Sequence, residues 1–304
     1  MRVALTGGTG FIGRRLVQRL LGHSHDITLL CRGAAAPVEA RIVRGDLADR
    51  RALESLVASA DAVIHLAGAV RGAVAADFER PNLEGTRQLL DAMDAVAPGV
   101  PLLVFSSLAA REPGLSHYAA SKRAAEELAL QRSGARPVLV LRPPAVYGPG
   151  DTEMLPVFRF MARTGLAPCA GHRGDRISLI FVEDLVDAAM HWLAQARQVH
   201  GLCTLHDGQP GGYDWMTLCA LVGGLCGRRV RVWEVPPLLL DVAARINPLL
   251  CALTGRKPML SPGKLRELRH PDWSCDNRAA SDLLGWAPRT PLAEGLERTP
   301  GWRH

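Results

Sequence analysis

The sequence has no Cys-x-x-Cys pair, no run of Lys or Arg beyond two or three residues, no internal repeat and no low-complexity segment. Its seven cysteines, Cys31, Cys169, Cys203, Cys219, Cys226, Cys251 and Cys275, are odd in number and unpatterned. A disulfide framework and a zinc site are therefore not expected, whereas buried thiols in a reducing cytoplasm are. His23 and His25 flank one serine, and nothing nearby completes a metal site. No basic segment followed by an apolar run precedes the first strand-like residues at Arg2, so the reading is a cytoplasmic protein without a signal peptide. No uncharged apolar run reaches the roughly 18 residues of a membrane span. The nearest approach, Val235–Leu253, carries Asp241 and Arg245. The formal charge of +6 is modest and dispersed, which argues against nucleic acid as a partner and suits an anionic cofactor.

What is present is an ordinary folded composition, 48% apolar and 22% charged over 304 residues. Short apolar runs at Arg2–Thr6, Asp26–Cys31, Ala40–Arg44, Ala62–Leu66, Pro101–Ser106 and Pro137–Leu141 read as strands. Helical patterns at Phe11–Leu21, Arg50–Ala58, Pro81–Val96 and Tyr118–Arg132 lie between them. Near-continuous apolar strands alternating with helices predict an α/β fold with a doubly wound parallel sheet of the Rossmann type. Its ligand site should lie at the carboxyl ends of the strands. Prolines and glycines become frequent after Gly148. The expected division is a dinucleotide-binding domain over residues 1–165 and a smaller C-terminal substrate lobe over 166–304. Residues 176–200, with a strand at Ile177–Phe181 and a helix from Glu183, are expected to return to the sheet. Gly33–Pro37 reads as a short loop.

The first strand runs into Thr6-Gly7-Gly8-Thr9-Gly10-Phe11-Ile12-Gly13. Gly7 permits a tight turn, Gly10 lets the backbone approach a pyrophosphate, and Gly13 lets the helix pack on the strand. The helix N-terminus at Phe11 and Ile12 supplies N–H donors and a positive partial charge. At the end of the second strand an acid would take the adenosine ribose hydroxyls, but this sequence has Leu30-Cys31-Arg32-Gly33. Arg32 is placed to pair with a 2′-phosphate, so NADP(H) is expected over NAD(H). The alternative is that Arg32 is a solvated loop residue.

Tyr118 and Lys122 stand four apart on one helix face, just after the strand that ends in Phe105-Ser106-Ser107. A phenol titrates near 10 and is a poor base at neutral pH. A lysine cation and an oxidised nicotinamide nearby would lower it. A serine hydroxyl can hold the substrate oxygen.

Together these residues resemble the short-chain dehydrogenase/reductase superfamily in its extended branch, the NAD-dependent epimerase/dehydratase-like family. The likeness extends through Gly45-Asp46-Leu47, His65-Leu66-Ala67-Gly68, Asn82-Leu83-Glu84-Gly85-Thr86, Leu141–Gly150, Phe181-Val182-Glu183-Asp184 and Leu284-Gly285-Trp286-Ala287-Pro288. It implies that Tyr118 is the general acid/base, Lys122 its partner and a ligand of the nicotinamide ribose, and Ser107 the substrate-oxygen ligand, with Ser106 a lesser candidate. It further implies that Asp46 and Leu47 border the adenine, that Ala67 and Gly68 line the cofactor path, that Asn82 supports the central helix and that Pro143 lies beside the nicotinamide. Asn82 and Asp184 could equally be plain capping residues.

Departures from the family's patterns narrow the activity. Leu108 and Ala109 follow Ser107 where sugar-nucleotide dehydratases resemble Thr-Asp-Glu, so elimination chemistry has no acids there. Ala145 stands where epimerases usually carry an asparagine for the nucleotide diphosphate, and the Ser107–Tyr118 interval lacks a Tyr-Gly pair. The favoured reading is an NADP(H)-dependent oxidoreductase that interconverts a secondary alcohol and a ketone on an apolar, lipid- or steroid-like small molecule. The alternatives are a nucleotide-sugar epimerase and a redox-silent dinucleotide-binding subunit. The stretch from Trp233 to Leu253 could roof the substrate pocket, touch a membrane surface or pack on the lobe's own core. Lys257–Leu268, Trp273 and Leu283–Pro288 resemble hydroxysteroid and dihydroflavonol-type members. A homodimer is expected through helices Pro81–Val96 and Tyr118–Arg132, where Ala119, Ala120 and Ala124 would permit close packing, although they suit an internal contact equally well.

Overall fold

The computed structural model describes residues 1–33, 39–254 and 257–303. In the first half, β1 (Arg2–Thr6), α1 (Phe11–Gly22), β2 (Asp26–Cys31), β3 (Arg41–Arg44), α2 (Arg50–Val57) and β4 (Ala62–His65) follow one another. The loop at Gly33–Pro37 lies outside the described residues beyond Gly33. Next come a single turn, α3 (Ala76–Phe78), a π-helical turn at Glu79–Glu84, and α4 (Gly85–Val96). Strand β5 (Leu102–Phe105), a 3-10 turn at Leu108–Arg111, α5 (His117–Gln131) and β6 (Val138–Arg142) complete this half.

The second half contains β7 (Ala145–Tyr147), α6 (Leu155–Thr164), β8 (Leu166–Cys169), β9 (Arg176–Ile177), β10 (Leu179–Phe181) and α7 (Val182–Ala194). It continues through β11 (Gly201–Thr204), α8 (Trp215–Cys226), β12 (Arg231–Glu234), α9 (Pro237–Leu253) and α10 (Pro262–Leu268). Strand β13 (Asp272–Trp273), α11 (Arg278–Leu284) and α12 (Leu292–Glu297) close the chain.

Seven parallel strands form the main sheet in the order β11-β6-β5-β4-β1-β2-β3. The order reverses between β1 and β4, which is the switch point where a doubly wound sheet opens a ligand crevice. Alternate strand residues face opposite layers. Val3, Leu5, Ile64, Leu103 and Leu139 pack with Leu16 and Leu20 of α1 and with Val186 and Trp192 of α7. Ala4, Val63, Val104 and Val140 pack with Leu53 of α2 and with Leu89 and Met93 of α4. Each such buried aliphatic side chain contributes about 1.5–3 kcal/mol, so the sheet holds its carboxyl edge rigidly. A third core around Tyr147, Phe158, Leu218 and Trp302 supports the remaining elements.

One expectation about the return to the sheet needs correction. Ile177–Phe181 is not a strand of the main sheet. It breaks at Ser178 into β9, which pairs with β13, and β10, which pairs with β7. Ser178 is where the chain changes partner: its N–H goes to Trp273 O, and its hydroxyl accepts Cys275 N–H. The helix after it, α7, does cover the sheet, and the returning strand is β11, which pairs with β6. The helix expected at Pro81 instead starts through the π-helical turn.

Candidate active site

The glycine turn has the backbone the sequence requires. Gly7 has φ +77°, and a Cβ there would stand 2.5 Å from Ala67 N. A Cβ on Gly13 would overlap Gly7 O. Gly10 is the N-cap of α1, with no side-chain cap and no acid in the first turn. The helical ladder opens with Arg14 N–H to Gly10 O at 2.9 Å, so the N–H groups of Phe11, Ile12 and Gly13 precede it. This uncapped end, with no room for side chains, fits an anionic pyrophosphate. Arg32 is exposed just past β2, and Arg44, at the end of β3, pairs in register with Cys31. Arg44 was not singled out from sequence. Asp46 accepts Ala48 N–H at 2.9 Å in the loop that follows β3, and Leu47 packs against Gly85 at the start of α4.

Behind the turn runs a buried polar chain that joins the sheet to α5. Thr86 Oγ1 donates to Asn82 O at 2.6 Å, so it accepts from His65 Nε2 at 3.0 Å. His65 Nδ1 is then the acceptor for Thr6 Oγ1 at 2.6 Å, and Thr6 Oγ1 accepts Ala67 N–H at 3.3 Å. Burial and the nearby Lys122 charge push His65 down to about 3, so the ring is neutral. Asn82 Oδ1 accepts Ala69 N–H at 2.7 Å, and its Nδ2 donates to Ser121 Oγ at 2.9 Å and Ala69 O at 3.1 Å. Ser121 Oγ in turn donates to Tyr118 O at 2.8 Å. A Cβ on Gly68 would stand 2.6 Å from Asn82 Oδ1 and 3.4 Å from Lys122 Nζ. Thr6, Thr86 and Ser121 were missed in the sequence because hydroxyls are common and only the fold aligns them. His65 lay inside a quoted motif, which was the available signal.

Ser107, Tyr118 and Lys122 meet at the carboxyl edge of β5. Ser107 caps the 3-10 turn, its Oγ accepting Ala109 N–H at 3.2 Å. Tyr118 is the second residue of α5, whose N-cap Ser116 accepts Ala119 N–H at 3.0 Å. Burial raises the Tyr118 phenol above its ordinary value, and its hydrogen bond with Ser107 pulls the other way. Lys122 Nζ donates to Phe105 O at 2.9 Å, and burial lowers the ammonium to about 8 against a favourable pull from Glu126. Glu126 is itself buried in an ion pair with Arg142, Nη2 to Oε2 at 2.5 Å. Ser106 is buried, and among the described residues its Oγ has no hydrogen-bond partner; it lines a small pocket with His65, Asn82 and Lys122. Pro143 is buried at the end of β6, its carbonyl accepting Leu108 N–H at 2.8 Å. Asp184 stands outside this group, binding Arg289 N–H, Thr290 N–H and the Thr290 hydroxyl. Ala145 lies on β7, partly buried.

A cavity of about 220 Å³ opens over Tyr118. Val70, Phe78 and Met259 give it apolar walls, while His117, Lys264 and Glu267 give it polar ones. Phe78 and Tyr118 have ring centroids 6.0 Å apart. Glu267 is buried, paired with Lys264 Nζ at 2.9 Å and bound by the Ser116 hydroxyl. Sequence reading did not find Glu267, because 151 residues separate it from Ser116. Of the alanines expected to face outward from α5, Ala119 is buried within the chain, Ala120 is exposed and Ala124 is half-buried. No group of three metal-ligating side chains occurs among the described residues.

Comparison with known proteins agrees with this fold. The NAD dependent epimerase/dehydratase family matches residues 3–202. A ceramide reductase of Caulobacter vibrioides is 36% identical, over 99% of this chain and 93% of the relative. A 2-alkyl-3-oxoalkanoate reductase of Stenotrophomonas maltophilia is 28% identical, over 98% of each chain. The solved structure of MoeE5 in complex with UDP-glucose and NAD superposes with a TM-score of 0.76 at 23% identity, covering 99% of this chain and 98% of that one, and shows the shared fold. The family match and the reductase relatives, together with the fold, define an NAD(P)-dependent oxidoreductase of the extended short-chain dehydrogenase/reductase type. The chain belongs to the NAD dependent epimerase/dehydratase family.

Proposed function

We propose that the chain is an NADP(H)-dependent reductase that converts a ketone on an apolar, lipid-like molecule to a secondary alcohol. The observation that carries this reading is that Tyr118, hydrogen-bonded to Ser107, lines the 220 Å³ cavity. A phenol held above its ordinary value gives up its proton only to a strong base, such as the alkoxide that develops as a ketone is reduced. Ser107 Oγ holds the carbonyl oxygen, and Tyr118 Oη delivers the proton to it. Lys122, positively charged below about pH 8, supports that transfer by favouring the phenolate that remains. When bound, NADP(H) supplies the hydride. Phe11, Ile12 and Gly13 would hold its pyrophosphate through backbone N–H groups, with Ala67, Gly68 and Pro143 along its path and Asp46 and Leu47 at the adenine. Arg32, with Arg44 beside it, offers cations for a 2′-phosphate.

The names of the two relatives support the substrate class, one being a reductase of ceramide and the other of a 3-oxoalkanoate bearing an alkyl group. The apolar cavity wall from Val70, Phe78 and Met259 suits alkyl chains, and residues 258–267 of the C-terminal lobe supply the side of the cavity facing Tyr118. The test is NADPH oxidation with a panel of long-chain 3-oxo esters and amides. Tyr118→Phe should cut turnover by roughly 100-fold or more while NADPH still binds. Retained turnover in that variant refutes the assignment. Saturable binding of a UDP- or dTDP-sugar, with no ketone turnover, restores the epimerase reading.

A further inference from the structure

Helix α9 wears its apolar face outward. Leu239, Val242, Ile246, Leu249, Leu250 and Leu253 are all exposed, from 44% at Val242 to 84% at Leu253. At about 100° per residue they fall within an arc of about 100°, opposite Ala244, the one fully buried position of the helix. A helix that packs on its own core has the reverse arrangement. The strand leading into it adds an aromatic pair: Trp233, 41% exposed, stacks on Phe160 at 6.5 Å.

Charge is gathered in the same stretch. From Gly227 to Arg269 the chain carries nine Lys and Arg against three Asp and Glu. That surplus equals the formal +6 of the whole protein, so the remaining residues are neutral in sum. Two of the three acids are already engaged within the stretch, Asp241 by Arg269 and Glu267 by Lys264. Arg245 borders the apolar arc, and Arg229 and Arg231 are exposed just before the helix. Exposed leucines, an interfacial tryptophan and flanking arginines are the pattern of a helix that lies in a lipid headgroup layer.

We propose that α9, with its basic flanks, docks this enzyme on an anionic lipid bilayer. The fold gives the contact a purpose. The cavity over Tyr118 is walled by Pro258, Met259, Ser261 and Lys264, the residues that follow α9, and the Asn247 side chain ties the helix to Leu260 O at 2.9 Å. Docking therefore brings the cavity wall to the membrane surface, where an apolar substrate is concentrated. The helix itself is 17 residues long and does not cross the bilayer. The inference stands on exposure and charge and does not depend on which ketone is reduced.

The test is flotation of the full-length protein with vesicles of phosphatidylcholine alone and of phosphatidylcholine mixed with phosphatidylglycerol. The protein should float with the anionic vesicles, weakly with the neutral ones, and fall off as salt is raised. Leu239→Glu with Leu249→Glu should lower the vesicle-bound fraction at least about tenfold, because carboxylates then face the headgroup phosphates. The milder pair Val242→Gln and Leu250→Gln should lower it in the same direction. Both pairs replace exposed side chains, so turnover of a water-soluble ketone and the thermal midpoint should be unchanged. Failure of the unsubstituted protein to float with anionic vesicles overturns the proposal, as does undiminished flotation of both variants. If light scattering shows that the substitutions split a larger oligomer, the face is a self-interface and the proposal is overturned.

Discussion

Replacing Asn82 by Ala removes three hydrogen bonds at once: from Ala69 N–H, to Ala69 O and to Ser121 Oγ. The side chain is 2% exposed, so water cannot replace it without entering the gap. Each net bond contributes about 1 kcal/mol, and a buried group left unpaired costs about 1–3 kcal/mol. Ala69 N–H is the donor most exposed to that penalty, while Ser121 Oγ keeps Tyr118 O as its own acceptor. The expected total is about 3 kcal/mol of stability, read from urea unfolding with two-state analysis. Function should suffer more than stability alone predicts, because Asn82 ties the loop after β4 to the helix that carries Tyr118 and Lys122. In native buffer the variant should therefore show reduced turnover although it remains folded. Asn82→Asp keeps an acceptor for Ala69 N–H but loses both donors, so it should not rescue. A loss under about 1 kcal/mol together with full turnover would refute this account of Asn82 as the link between the sheet edge and α5.

Arg32→Ala should weaken NADPH binding about tenfold while leaving NADH nearly unaffected, as a titration with each cofactor will show; equal losses for both would remove the 2′-phosphate role. Lys122 has a folded value of about 8, below its ordinary 10.5. The unfolded chain therefore binds more protons between those values, and the stability penalty is full below about 8 and fades as pH rises through the window. Ketone reduction should run the opposite way and fall above about 8 as the ammonium loses its charge, with Lys122→Met flat in both profiles. A homodimer through α4 and α5 predicts a doubled mass by light scattering that persists in the α9 variants.

Much of the sheet could be read directly. Residues in β1 and β2 are apolar on both faces and bounded by Gly or charged residues, so their limits coincide with the runs in the sequence. The glycine turn was legible because the chemistry acts through backbone, and glycine spacing records backbone directly. What resisted reading was tertiary in origin. Strand β11 is only Gly-Leu-Cys-Thr, with too little apolar alternation to stand out, and it exists because β6 offers an open edge. The π-helical turn has no local signature; it accompanies the long-range bonds of Asn82 to Ala69 and Ser121. Tyr118 and Lys122 lie on one helix, as their spacing predicts. Spacing shows that two side chains share a face, whereas only the packed structure shows that Lys122 turns to Phe105 O.

The hydrogen-bonded chain from Thr6 through His65 and Thr86 to Asn82 also constrains how this protein can change over generations. Its polarity is set at one end by a carbonyl that can only accept and at the other by an amide that can only donate. Each hydroxyl between them has one workable orientation. Replacing one member by an apolar residue would leave the donor on one side of it and the acceptor on the other unpaired, which is costly. A coordinated replacement of Thr6, His65 and Thr86 by a matching apolar set leaves only Ala67 N–H to find a new acceptor. These three positions should therefore drift together among descendants of this fold or not at all, whereas their neighbours on the same strands remain free to vary one at a time.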